Sequence, residues 1–66
     1  MMGNGVLHMS VQTRKNIERL LVRASMERGK VHWGKIFAHS PEYLGPTEQK
    51  EITQLADRWG VELVGS

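Results

Sequence analysis

The stretch PTEQKEITQLADRWGVELV, residues 46–64, decides the fold. Pro46-Thr47-Glu48-Gln49 puts proline and an acid at a helix start, where a missing N–H does no harm and the dipole favours negative charge. Ile52, Leu55, Ala56 and Trp59 then recur at helical spacing and predict a helix over about 47–59. Gly60 ends it, and Val61-Glu62-Leu63-Val64 alternates as a closing strand. Trp59 stands at i+7 from Ile52 on this regular stripe. It is expected to anchor the core against Leu20, Leu21 and Val31, so that Trp59→Ala unfolds the chain while Lys50→Ala leaves it folded.

Upstream of this stretch, Lys30-Val31-His32-Trp33 reads as a brief strand with two β-favouring residues. Gly34 to His39 reads as a short helix ended by Ser40-Pro41, because the residue before proline avoids helical angles. Tyr43 and Leu44 sit in a loop closed by Gly45-Pro46. Ile17, Leu20, Leu21 and Ala24 predict a first helix over roughly 12–28, opened by Ser10 or Thr13 and stopped at Gly29.

Residues 1–10 carry two glycines and no periodicity, and are expected to be a flexible lead-in; residues 11–66 form the domain. The expected fold is mostly α, a small three-helix domain of helix-turn-helix or winged-helix-like type, in the order helix, short strand, helix, helix, strand. The two strands are expected to pair antiparallel. The expected core is Ile17, Leu20, Leu21, Val31, Trp33, Ile36, Phe37, Ile52, Leu55, Trp59, Val61 and Leu63.

At 66 residues the chain is one small domain with a narrow stability margin. It has no cysteine, which excludes disulfides, thiolate metal sites and thiol nucleophiles. Hydrophobic residues make up 39% and charged residues 24%, ordinary globular usage. No apolar run approaches the ~20 residues of a membrane span. The opening residues lack the basic start and apolar stretch of a signal peptide, so a cytoplasmic place is expected.

Chemistry-bearing patterns are sparse. His8, His32 and His39 share no metal-ligand spacing with each other or with a carboxylate. The serines lack a nucleophile-elbow context, and Gly3-Asn4-Gly5 neither follows a strand nor opens a helix. A non-enzymatic protein without cofactor or metal is expected.

Binding remains, and charge distribution directs it. The net charge is only +2, but Arg14, Lys15, Arg19, Arg23, Arg28, Lys30 and Lys35 face only Glu18 and Glu27 between residues 14 and 35. The second half carries Glu42, Glu48, Glu51, Asp57 and Glu62 against Lys50 and Arg58. A polarised molecule favours an oriented encounter with a charged partner. A DNA reader of helix-turn-helix type lays its second helix in the major groove, and here that helix is net acidic, which disfavours the arrangement. The first helix, with Arg14, Lys15, Arg19 and Arg23, is the better candidate for nucleic acid.

The order of segments also carries a resemblance. Ile17-Glu18-Arg19-Leu20-Leu21 through Gly29 is followed by Val31-His32-Trp33 with Ile36, and then by Pro41-Glu42-Tyr43-Leu44. Thr47-Glu48-Gln49-Lys50-Glu51-Ile52 and Leu55 to Val64 complete it. From Ile17 to Val64 this resembles the N-terminal inhibitory domain, region 1.1, of primary bacterial RNA polymerase sigma factors. The resemblance implies a transcription-regulating module that contacts RNA polymerase core or a sigma factor. That family domain stands in for DNA in the downstream channel and restrains the sigma factor from binding promoters alone. The family is strongly acidic whereas this chain is net basic; of the two forms the resemblance allows, an excised sigma domain or a freestanding relative, the charge favours the second. The expected contacts are Glu48, Glu51, Asp57 and Glu62 toward a basic surface, and Arg14, Lys15, Arg19 and Arg23 toward an acidic one. The chain is expected to be a monomer away from membranes; direct nucleic-acid binding through the first helix is the alternative.

Overall fold

The computed structural model describes residues 9–65. Of the lead-in expected over residues 1–10, residues 1–8 lie outside the described residues, while Met9 is buried and Ser10 caps the first helix. The elements run α1 (Val11–Met26), β1 (Lys30–His32), α2 (Trp33–Ala38), α3 (Pro46–Trp59) and β2 (Glu62–Val64).

Local chemistry sets each boundary. The Ser10 hydroxyl accepts the Thr13 N–H at 3.2 Å and donates to the Thr13 Oγ1 at 2.9 Å, which satisfies one free amide of the first turn. His32 opens α2, its Nδ1 accepting the Gly34 N–H at 3.0 Å. Pro46 is the first residue of α3, and Glu48 reaches back so that its Oε1 accepts the Gly45 N–H at 2.8 Å. This is half a capping box, since glycine has no side chain to return the bond. At the far end, Gly60 takes φ 69°, the Val61 N–H donates to the Ala56 carbonyl at 2.8 Å and the Gly60 N–H to the Asp57 carbonyl at 3.1 Å. That is the Schellman closure, in which glycine adopts the left-handed region without strain.

The two strands pair parallel, with Lys30 opposite Glu62, Val31 opposite Leu63 and His32 opposite Val64. The antiparallel pairing, and with it the wing of a winged-helix domain, is therefore overturned, while the three helices stand. The cause is the connection. Between β1 and β2 the chain passes through α2 and α3, and a helical crossover returns the second strand in the direction of the first. Both strands leave the C-terminal end of a helix through a left-handed glycine, Gly29 and Gly60, and α1 packs on α3. The Glu62 N–H also donates to the Gly29 carbonyl at 2.8 Å, which ties the two turns together.

Ile17, Leu21, Val31, Ile36, Ile52, Leu55 and Val61 are buried as the pattern implies, and Leu20, Trp33 and Leu63 pack half-buried against them. Two members of the expected core are not inside. Trp59 is 41% exposed and Phe37 44% exposed. A helical stripe gives a direction and not a depth: Trp59 lies on the line of Ile52 and Leu55, but it is the last residue of α3. Phe37 stacks on the outer side of Trp33, ring centroids 5.8 Å apart, and Trp33 takes the inner position. Met9, Ala24, Leu44, Ala56 and the polar Thr13 complete the interior.

Thr13 belongs to a network that joins α1 to the loop before α3. The Ser10 N–H donates to the Glu42 Oε2 at 2.9 Å. The Thr13 hydroxyl first, and then this N–H, hold the Glu42 carboxyl below its usual 4.5. A depressed carboxyl contributes stability that is complete above its unfolded value and is lost as pH falls through the folded one. Stability should accordingly drop below about pH 4.5, and Glu42→Gln should be less stable at neutral pH with a flattened acid limb. Urea midpoints measured across this range check it; an acid limb unchanged in Glu42→Gln would assign the effect to another carboxyl.

Candidate functional site

At 3.6 residues per turn, Arg19 and Arg23 stack one turn apart on α1, Lys15 stands one turn before Arg19 beyond the end of this pair, and Arg14 points to another side. Asn16, Arg19, Leu20 and Arg23 form one wall of a cleft of about 220 Å³, and His39 forms the other. A second cleft of about 270 Å³ continues from it, sharing Leu20, Arg23 and His39. Lys30, His32 and Lys35 join the lining there, and Glu27 is the one carboxylate among its residues. Leu20, Ala24 and Val31 supply the apolar part, so the cationic heads stand on a packed floor. Together the two clefts make one groove between α1, β1 and α2.

The wall opposite α1 is fixed by the backbone. His39 closes α2, its N–H within 3.1 Å of the Lys35 and Ile36 carbonyls. Its ring Nδ1 lies 2.8 Å from the Lys35 carbonyl oxygen, and its own carbonyl accepts from the Asn16 Nδ2 at 3.3 Å. The last bond holds the end of α2 against α1. At the other end of α2, His32 is both N-cap and a lining residue.

The expected basic set is thus divided. Arg19 and Arg23 are in the groove, and Lys15 is exposed outside it. Arg14 lines a separate cleft of about 120 Å³ with Met9, Glu51, Gln54, Leu55 and Arg58. The expected acidic set is divided too. Glu48 caps α3, and Glu51 is half-buried in the Arg14 cleft, its Oε1 without a hydrogen-bond partner among the described residues. Asp57 is exposed on α3, and Glu62 stands across the sheet from Lys30.

The sequence alone gives Lys30, His32, Lys35 and His39 no binding role, although Arg19 and Arg23 at i, i+4 already mark one helix face. What brings the others beside that face is the tertiary return of β1 and α2. Among the described residues no group of three or more His, Asp or Glu could hold a metal ion, and His8 lies outside them. Among the same residues, no helix is long and apolar enough to cross a membrane. In comparisons with family models, curated proteins and solved structures, the chain matches none.

Proposed function

We propose that this chain is a non-enzymatic binding module that lays the groove between α1, β1 and α2 against the phosphate backbone of a nucleic acid. The observation that carries this is the convergence of Arg19, Arg23, Lys30 and Lys35 with two histidines around one cleft system that includes a single carboxylate, Glu27. Arginine and lysine heads on a groove rim neutralise phosphates and position a protein without reading base edges. The net acidic α3 stays out of the contact, and sequence-tolerant binding follows. A short labelled duplex titrated at increasing salt tests it. Four phosphate contacts give a log–log slope of about −3.6, from about −0.9 per contact. Absence of binding at the lowest salt overturns the reading.

The order of segments from Ile17 to Val64, with its resemblance to the sigma inhibitory domain, supports a second reading in which RNA polymerase core or a sigma factor is the partner. A partner with a basic surface would have to meet Glu48, Glu51, Asp57 and Glu62, and these are dispersed over a cap, a cleft, a helix face and a strand. Retention on purified polymerase in the absence of nucleic acid would favour this second reading over the first.

A further inference from the structure

The two histidines of the groove differ in which ring nitrogen is free. The Nδ1 of His39 faces the Lys35 carbonyl oxygen at 2.8 Å. A carbonyl only accepts, so Nδ1 carries the hydrogen, and in the neutral ring Nε2 holds the lone pair. The Nδ1 of His32 accepts the Gly34 N–H at 3.0 Å, so here the lone pair is on Nδ1 and the hydrogen on Nε2.

Protonation therefore has opposite consequences at the two ends of α2. A proton from solvent added to His39 goes to Nε2, leaves the bond to Lys35 intact and turns an acceptor into a donor on a ring that lines the groove. The cation also sits beside the last carbonyls of α2, which favour positive charge. A proton added to His32 goes to Nδ1, meets the Gly34 N–H and removes the cap of α2. The His32 Nε2 meanwhile lies beside Gly65, where any Cβ would collide with it.

The geometry points to His39 as a proton-dependent phosphate contact of the groove, taking up one proton as the anion seats and donating Nε2–H to a phosphate oxygen. This rests on the groove being the binding face. The groups facing His39 give the coupling its sign. Arg19 and Arg23 from α1, Lys30 from β1 and Lys35 from α2 line the groove with it, Glu27 is the one carboxylate among the lining residues, and His32 completes the set. A phosphate seated among them brings negative charge beside the ring and favours its protonated form, so anion binding and proton uptake favour each other, and the linkage is reciprocal.

Imidazole proton resonances of the full chain, titrated with and without sodium sulfate at matched ionic strength, test the contact; sulfate is the probe because it does not itself titrate in the range. Sulfate is expected to raise the midpoint of His39 and leave that of His32 in place. No movement at His39, or equal movement at both rings, overturns the proposal. In a second arm, the salt slope for the labelled duplex is expected to steepen by about 0.9 between about pH 8 and about pH 5.5 in the parent and to stay constant in His39→Gln. Circular dichroism confirms that this variant is folded. A sulfate response at His39 without duplex binding keeps the anion contact and removes the nucleic-acid reading. Duplex binding with one slope at both pH values keeps the groove and removes His39 from it.

Discussion

Leu21→Ala is expected to leave the protein unfolded at room temperature, while Trp59→Ala stays folded. Leu21 is fully buried on α1, in the same core cluster as Ile17, Ile36 and Ile52. Truncating such a leucine costs about 2–5 kcal/mol, from the lost transfer energy and the cavity left behind. A domain of this size rarely holds more than about 3–5 kcal/mol in total. Trp59, at 41% exposed, already leaves much of its ring in water, so its removal forfeits only part of a tryptophan's burial. Thermal melts followed by circular dichroism compare the two variants with the parent. A Leu21→Ala protein that melts like the parent would mean that α1 buries another face, and an unfolded Trp59→Ala would restore Trp59 as an anchor.

Reversing the charge of both groove arginines, Arg19→Glu with Arg23→Glu, is expected to abolish nucleic-acid binding without unfolding the chain. Both side chains are exposed, so neither change opens a cavity. Each removes one phosphate contact, worth about 0.9 in the salt slope, and adds a charge that repels the backbone. Sequence-tolerant binding starts from only about 10⁻⁴–10⁻⁶ M at physiological salt, so the loss carries it out of the measurable range. Arg14→Glu with Lys15→Glu is the matched comparison, with the same change of net charge on the same helix but outside the groove. It is expected to retain most of the binding. Equal losses in the two double variants, measured by anisotropy with the same duplex, would mean that total charge and not the groove holds the ligand.

What was legible in the sequence follows from how local each feature is. The stripes Ile17–Leu21–Ala24 and Ile52–Leu55–Ala56 need only a helical repeat, and the stops at Gly29 and Gly60 need only a residue at ease with positive φ. Both are readable within a dozen residues. Strand direction is not, because Val31 and Leu63 alternate in the same way whether the chain turns back directly or crosses over through helices. Burial depth was illegible at Trp59 and Phe37 for a related reason: periodicity reports the side of a helix, and the neighbour that covers that side comes from elsewhere. Thr13 shows the converse, a polar residue admitted to the core because Ser10 and Glu42 satisfy its hydroxyl. For the groove, the spacing of Arg19 and Arg23 was available, and a stricter helical projection would have set Arg14 aside; Lys15 projects beside Arg19, and only the tertiary structure leaves it outside the lining. The opposite wall depends on where β1 and α2 return against α1, and no local pattern encodes that.

The parallel pairing of β1 and β2 also imposes an order in time. The turns of α1 and α3 form from near neighbours, but Lys30 meets Glu62 only after the whole crossover has closed, with its loop entropy already lost. The strand pair is therefore a late event in assembly and, read backwards, an early one to come apart. Lys30 and His32 ride on that pair, and α2 follows His32 directly. A molecule that has both long helices but has not yet joined its strands would hold the wall opposite Arg19 and Arg23 only through the Asn16–His39 bond, so the groove proposed as the binding face is complete only once the strands have joined.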